Sequence, residues 1–377
     1  MTSRQRLLAA YRGGMPDRVP VFVRGVYCQP DGTRVPSFAG KDESFADLFQ
    51  YVFENADLIR FWRAGDQFLF SGAVPPARRE VVKTGPDYEV IRTTIETPEG
   101  PLTSVYRRST LGHPGLELEH PVKEPADVDR ALSVPEEPVP FDAEAFRRMD
   151  AEMGARGLIA VNCGVPISEV HSLLGSERLA LWSLQHRDLI GRLLEVIAGR
   201  WRRLIEAMLA AGIGPVFTFL GQELATPPLL SPRDFHEFVT RVEKPVYDLV
   251  HAAGGVVRIH CHGNLKAVLD DFVEMGCDAL HPVETPPWGD ITYPEFRRRV
   301  GNRICIKGGV QIADLQKGPP ERVAALCRSV IDQAGRDGAL ILAPSASPFW
   351  PINTPEITAN YRAMIDTALT HGRYPIR

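Results

Sequence analysis

Between residues 157 and 343 one pattern recurs six times: a short apolar run, followed by a longer stretch whose apolar residues keep helical spacing. The runs fall at 158–161, 216–220, 256–260, 279–281, 304–306 and 340–343. The helix-like stretches include 186–211, 232–252, 264–275, 319–334 and 355–369. Two further strand-like segments, 19–23 and 56–61, precede them. Strands alternating with helices build a parallel sheet covered on both faces. Eight such strands point to closure into a (β/α)₈ barrel of the TIM type. An open doubly wound sheet is the alternative, but no GxGxxG follows the first strand as a dinucleotide-binding turn would require. The whole chain, 1–377, reads as one barrel domain with an N-terminal extension. A helix is expected over 3–13 with Ser3 as its N-cap, and another over 43–54. The stretch 87–109 alternates about a turn at Pro98-Glu99-Gly100-Pro101, which predicts a β-hairpin inserted outside the barrel.

Net charge is −4 with both signs interspersed, so nothing in the charge pattern suggests nucleic acid. Residues 1–8 lack the apolar core of a signal peptide, and no apolar run approaches the length of a membrane span. The six cysteines are scattered without a CxxC pair. They read as reduced thiols of a cytoplasmic protein rather than a disulfide framework.

In such a barrel the catalytic groups sit at the C-terminal ends of the strands. Those positions here carry Arg24, Asn162, Glu223, His260-Cys261-His262, Glu284 and Lys307. On a strand, residues i and i+2 face the same way, so His260 and His262 present two imidazoles to one side. Glu284 belongs to the end of the neighbouring strand. Two imidazoles and a carboxylate are a common set for a divalent transition metal, zinc or alternatively iron. The competing reading is that both histidines hydrogen-bond substrate or backbone without a metal. Cys261 points the opposite way, into the core.

Thr2 to Gly13 followed by Pro16-Asp17-Arg18-Val19-Pro20-Val21 resembles the opening of the uroporphyrinogen-decarboxylase-like superfamily. His260-Cys261-His262-Gly263-Asn264, His281-Pro282-Val283-Glu284 and Leu342-Ala343-Pro344-Ser345-Ala346 come in the order of that superfamily's later motifs. The similarity is nearest to the branch of corrinoid-dependent methyltransferases. It implies a barrel, metal-assisted chemistry on a small organic substrate, and a corrinoid protein as candidate partner. Two departures matter. The zinc-dependent members carry His-x-Cys where this chain has His260 and His262, and a further Cys where it has Ala346. Decarboxylases of the family resemble Met-Arg-Gln-Ala-Gly-Arg after the first strand, where this chain retains only Arg24.

The remaining candidates each have a plainer alternative. Arg24 could grip a substrate carboxylate with its planar fork or form a structural ion pair. Glu223 could be a general base or a fourth ligand, or a loop carboxylate capping the segment after it. Lys307 could contact an anion or pair with a neighbouring strand. Tyr27, Trp288, Phe349 and Trp350 could wall an apolar pocket, and Asn162 could bind substrate. Asp290 and Thr292 read as caps of the helix after them. The function expected is methyl or one-carbon transfer on a small carboxylate or methyl ether. Decarboxylation is the alternative, and a non-catalytic binding barrel is the other class. A homodimer is a candidate assembly.

Overall fold

In a computed structural model, which describes residues 1–26, 43–64, 69, 77–111, 113–350 and 352–376, seven strands form one parallel sheet. They are β1 (Leu58–Trp62), β6 (Gly157–Gly164), β7 (Val216–Leu220), β8 (Val256–His260), β9 (Ala279–His281), β10 (Cys305–Val310) and β11 (Leu340–Pro344), hydrogen-bonded in that order. β7 and β8 are almost continuously buried, as parallel strands with helices outside and a packed interior must be.

The eighth position is taken by the extended segment around Val21. Phe22 N–H donates to Leu342 O and Leu342 N–H to Pro20 O, which fixes the segment to β11. On its other side Asp57 N–H donates to Val21 O, at the foot of β1. The segment therefore bridges both edges of the sheet and closes the TIM-type barrel. Pro20 has no N–H to add to a ladder, which keeps the pairing short.

Asp57 holds this seam together. Its buried carboxylate accepts from Val21 N–H (2.9 Å), Arg6 (2.7 Å), Arg18 (2.9 Å) and Ser3 Oγ (2.8 Å). Ser3 is thus the first residue of the helix Ser3–Tyr11 and a partner of Asp57. The N-cap is Thr2, whose side chain accepts from Gln5 N–H while Gln5 reaches back to the Thr2 N–H. This helix sends Tyr11 into the interior, where it packs with Phe22, Leu158, Val216, Val256 and Ile341. It forms the apolar floor of the barrel.

The hairpin expected at 87–109 is present as β3 (Tyr88–Thr97) and β4 (Gly100–Ser109). It is the centre of a larger four-stranded antiparallel sheet, flanked by β2 (Ala77–Thr84) and β5 (Leu116–Glu119). β2 is exposed along its whole length, so no buried-face alternation announced it. Among the described residues no helix is long and apolar enough to cross a membrane.

Removing the Asp57 carboxylate takes the carboxylate partner from Arg18 at the seam, while Arg6 keeps Asp17. Asp57→Ala should lose about 3–5 kcal/mol of unfolding free energy, the cost of breaking a buried ion pair on one side. Urea denaturation measures it. A loss of about 1 kcal/mol or less, typical of an exposed pair, would mean that the seam does not depend on this residue.

Candidate active site

Strand register decides what meets at the mouth. β8 and β9 pair His260 with His281, and both imidazoles are buried at the top of the barrel. His281 Nε2 lies 3.1 Å from Pro344 O, so it carries a proton and donates to that carbonyl. In the neutral ring His281 Nδ1 is then an acceptor. His260 Nδ1 lies 2.8 Å from it and 3.0 Å from His281 O, and so donates. This relay leaves the lone pair of His260 on Nε2. Burial holds both histidines well below the ordinary imidazole range, and the Arg24 and Arg258 charges push them further the same way.

Arg24 ends the closing segment and lays its guanidinium 3.4 Å from both ring nitrogens of His260 and from His281 Nδ1. Gly25 makes this turn possible. Its φ is +81°, and a Cβ there would stand 2.6 Å from the Ser347 side chain, so glycine alone fits comfortably.

His262 is set edge-on to His260, with ring centroids 4.7 Å apart. Its Nδ1 donates to Glu284 Oε2 at 3.1 Å. The other Glu284 oxygen accepts from Gln311 Nε2 (3.1 Å), and Gln311 in turn accepts from Ser345 Oγ (2.9 Å). Burial opposes the Glu284 charge, but the His262 and Gln311 hydrogen bonds prevail and hold its carboxyl below the usual range.

This arrangement does not fit an ion shared by His260, His262 and Glu284. Both Glu284 oxygens are engaged, so the carboxylate orients His262, and the guanidinium of Arg24 stands at the His260 lone pair. Among the described residues, the group of three such side chains with ligand atoms within 4.8 Å of one another is His236–Asp271–Glu274, in the helix layer.

Glu223 lies on the 3₁₀ turn Gln222–Ala225 directly after β7. Burial pushes its carboxyl up, outweighing its backbone hydrogen bonds and the pull of His262 and Arg24. Its Oε2 is buried with no hydrogen-bond partner. Glu223 and His262 line a cavity of about 540 Å³ whose other walls are Thr226, Pro227, Pro228, Leu229, Gly263 and Asn264. A carboxyl pushed up by burial and an imidazole therefore line one largely apolar space.

The other expected residues separate. Asn162 faces inward on β6 beside Thr218, with its Oδ1 buried and unpartnered. Lys307 is not at the mouth. It is wholly buried, donates to Tyr11 Oη (3.1 Å) and lies over the Phe22 ring, so its partner is the barrel floor and neither an anion nor a carboxylate. Trp288 is 60% exposed, outside the cavity. Trp350 is buried with its ring against the exposed Phe349. Thr292 caps the helix Tyr293–Val300, whereas Asp290 accepts from Leu265 and Lys266 N–H. Tyr27 lies outside the described residues.

Sequence reasoning missed Arg258, whose guanidinium reaches Thr218 Oγ1 at 3.3 Å. Its i−2 spacing from His260 places it on the same inward face and was a usable signal. It also missed a fully buried trio behind the Glu223 turn. Gln222 Nε2 donates to Glu243 Oε2 (2.9 Å) and Tyr247 Oη (3.0 Å), and Tyr247 Oη donates to Glu243.

Comparison with known proteins adds the family. The family model described as uroporphyrinogen decarboxylase (URO-D) matches residues 111–371. Uroporphyrinogen decarboxylases of Streptomyces griseus and Streptomyces coelicolor are 28% identical over 234 residues and 27% over 226. Each alignment covers 58% of this chain, which spans 59% and 60% of those relatives' lengths. A methyltransferase from Methanosarcina mazei shares the fold across 97% of this chain and 99% of its own, with a TM-score of 0.62 and 19% identity.

Glu243 generates a pH prediction. Burial pushes it up to about 7, against hydrogen bonds from Tyr247 and Gln222, from an ordinary 4.5. A carboxyl raised on folding holds its proton longer in the native state, so its contribution is present at low pH and is lost as pH rises through that window. Glu243→Gln removes the titration. Its unfolding free energy relative to wild type should therefore climb between about pH 4.5 and pH 7, measured by denaturation at several pH values. A pH-independent difference would show that Glu243 does not titrate there.

Proposed function

The chain belongs to the uroporphyrinogen decarboxylase family, and we propose that it is an enzyme that removes a one-carbon group from a small carboxylate substrate, with Glu223 as the proton donor. The observation that carries this reading is the Glu223 carboxyl, with one buried oxygen unpartnered and its pKa raised by burial, lining one cavity with His262. The Arg24 fork would take the substrate carboxylate at the mouth. The apolar wall Pro227-Pro228-Leu229 would take its carbon skeleton.

Methyl transfer is the leading reaction. The methyl–oxygen bond breaks, the methyl group passes to a nucleophilic acceptor, and the Glu223 proton goes to the departing oxygen. A corrinoid protein is the class of partner that would supply such an acceptor. The decarboxylase relatives favour a second reading on the same site. There the bond to the carboxyl carbon breaks, carbon dioxide leaves, and the Glu223 proton goes to the carbon left behind. A zinc or iron ion at His260 and His262 would have to displace Arg24, so neither route is drawn through a metal.

Mass spectrometry of products from methoxy-substituted and plain aromatic carboxylates, with and without a corrinoid acceptor, separates the two. Loss of a methyl group only with acceptor supports transfer; loss of carbon dioxide without it supports decarboxylation. Glu223→Gln should lower turnover by about 10²–10⁴, the usual worth of a positioned acid. Wild-type activity should fall as pH rises past the raised Glu223 value. A Glu223→Gln enzyme with undiminished turnover would sink the proposal. Stoichiometric zinc or iron in purified protein, lost in His262→Ala, would restore a metal-assisted mechanism.

A further inference from the structure

We propose that Glu243 is a positioning residue that fixes the Glu223 turn from behind, through the side chain of Gln222. The inference rests on the reading of Glu223 as the proton donor. Gln222 and Glu223 are consecutive on one 3₁₀ turn, so any shift of Gln222 is passed to Glu223 through a single peptide unit. Gln222 is fully buried, and both protons of its amide are committed, one to Glu243 and one to Tyr247. The turn also packs on the helix Pro166–Gln185 and keeps its own hydrogen bonds, Leu224 N–H to Gly221 O and Thr226 N–H to Glu223 O, but none of these holds the Gln222 side chain. The turn begins at Gly221, whose φ of +126° and approach to Ser168 (2.6 Å from a built Cβ) need a glycine.

The anchor itself is rigid. Tyr247 packs on Phe219 of β7 at 4.6 Å and edge-on to Trp201 at 6.0 Å between ring centroids. The helix Arg241–Ala252 thus grips the strand that carries the turn as well as the turn. Tyr247, Gln222 and the thiols of Cys261 and Cys277 are the polar and titratable groups around Glu243 and Tyr247. Among the described residues no cation shifts Glu243 or Tyr247. One oxygen of Glu243 and the amide oxygen of Gln222 have no partner.

For stability alone this trio is a poor choice. A buried carboxyl with an unfilled hydrogen-bonding position costs free energy that apolar side chains of similar volume would not. What it supplies is direction: two hydrogen bonds on one amide permit one orientation of Gln222, where an apolar contact would tolerate several. Cys261, between His260 and His262, lies within the electrostatic reach of Glu243 and Glu223.

The test compares Glu243→Leu, Glu243→Gln and Tyr247→Phe in the full chain. The titration of the Glu223 carboxyl is followed by NMR with ¹³C-labelled glutamate and assigned with Glu223→Gln. This readout needs no substrate. Glu243→Leu should fold at least as stably as wild type, yet lower the Glu223 midpoint towards an ordinary carboxyl as the loosened turn lets water in. Glu243→Gln, which keeps an acceptor oxygen, should restore much of the shift. Tyr247→Phe, which keeps the ring, should give an intermediate value and covers the case in which Glu243→Leu fails to fold. With an active substrate, Glu243→Leu should lower kcat by roughly ten- to a hundredfold, the effect of a small misplacement of a catalytic group, with KM little changed. An unchanged Glu223 midpoint in folded Glu243→Leu or Tyr247→Phe overturns the positioning role. Undiminished turnover in Glu223→Gln overturns the assignment of the acid instead, so the two failures are distinguishable.

Discussion

The geometry at the mouth depends on how the barrel is closed. A (β/α)₈ sheet has no edge only if its first and last strands meet, and here the first strand is too short to do that by its own ladder. The Asp57 carboxylate compensates. It fixes the Val21 backbone, two arginines and the N-terminal helix to the foot of β1. Arg24 sits three residues beyond Val21, and its guanidinium reaches His260 and His281 on the far wall. An arginine there is possible because the seam is anchored at its lower end and Gly25 turns the chain away at its upper end.

Once Arg24 is in place, the electrostatics of the interior are set. Arg258 lies one strand layer below His260, and Lys307 is wholly buried over the floor. Cations so close together disfavour further positive charge, so His260 and His281 are held neutral. Desolvation and the same repulsion hold the Lys307 ammonium well below its ordinary range. Neutral imidazoles can be ordered into a relay by one fixed acceptor, the Pro344 carbonyl. The mouth thus sets the Arg24 guanidinium beside neutral imidazoles and the Glu284 carboxylate, above a floor built around Tyr11 and Phe22.

The barrel was legible because its signal is long-range and repetitive. Six apolar runs between residues 157 and 343 became β6 to β11, and the hairpin at 87–109 became β3 and β4. The flanking strands β2 and β5 were hidden because neither buries a face. At the site, strand periodicity brought His260 and His262 together and placed Glu284 beside them. It could not show that the Glu284 oxygens are taken by His262 and Gln311, nor that Arg24 crosses the mouth. Those contacts depend on the register between distant strands. Lys307 misled for a related reason. Its run ends at Ile306 in the sequence pattern, but β10 continues to Val310, so a residue read as a strand end is an interior one. Gln222 was invisible beside Glu223, because a polar residue at a strand end carries no mark of whether it faces the cavity or the core behind.

The two departures from the thiolate pattern that the resemblance implies make sense together. His262 and Ala346 stand where the resemblance to zinc-dependent members of the superfamily implies cysteines, so relative to that pattern the site has two fewer potential negative charges. A thiolate pair would attract a dication and leave no reason for a guanidinium nearby. Imidazoles and an alanine bring no negative charge, and a guanidinium can then lie against His260 without competing for a ligand. The same difference removes charges that would raise the energy of an ionised Glu223, and burial still pushes that carboxyl up. On our reading, polarisation of the substrate has passed from a metal ion to a proton. The residues that orient the proton donor, Gln222 and Glu243, then matter more than any residue that would orient a ligand.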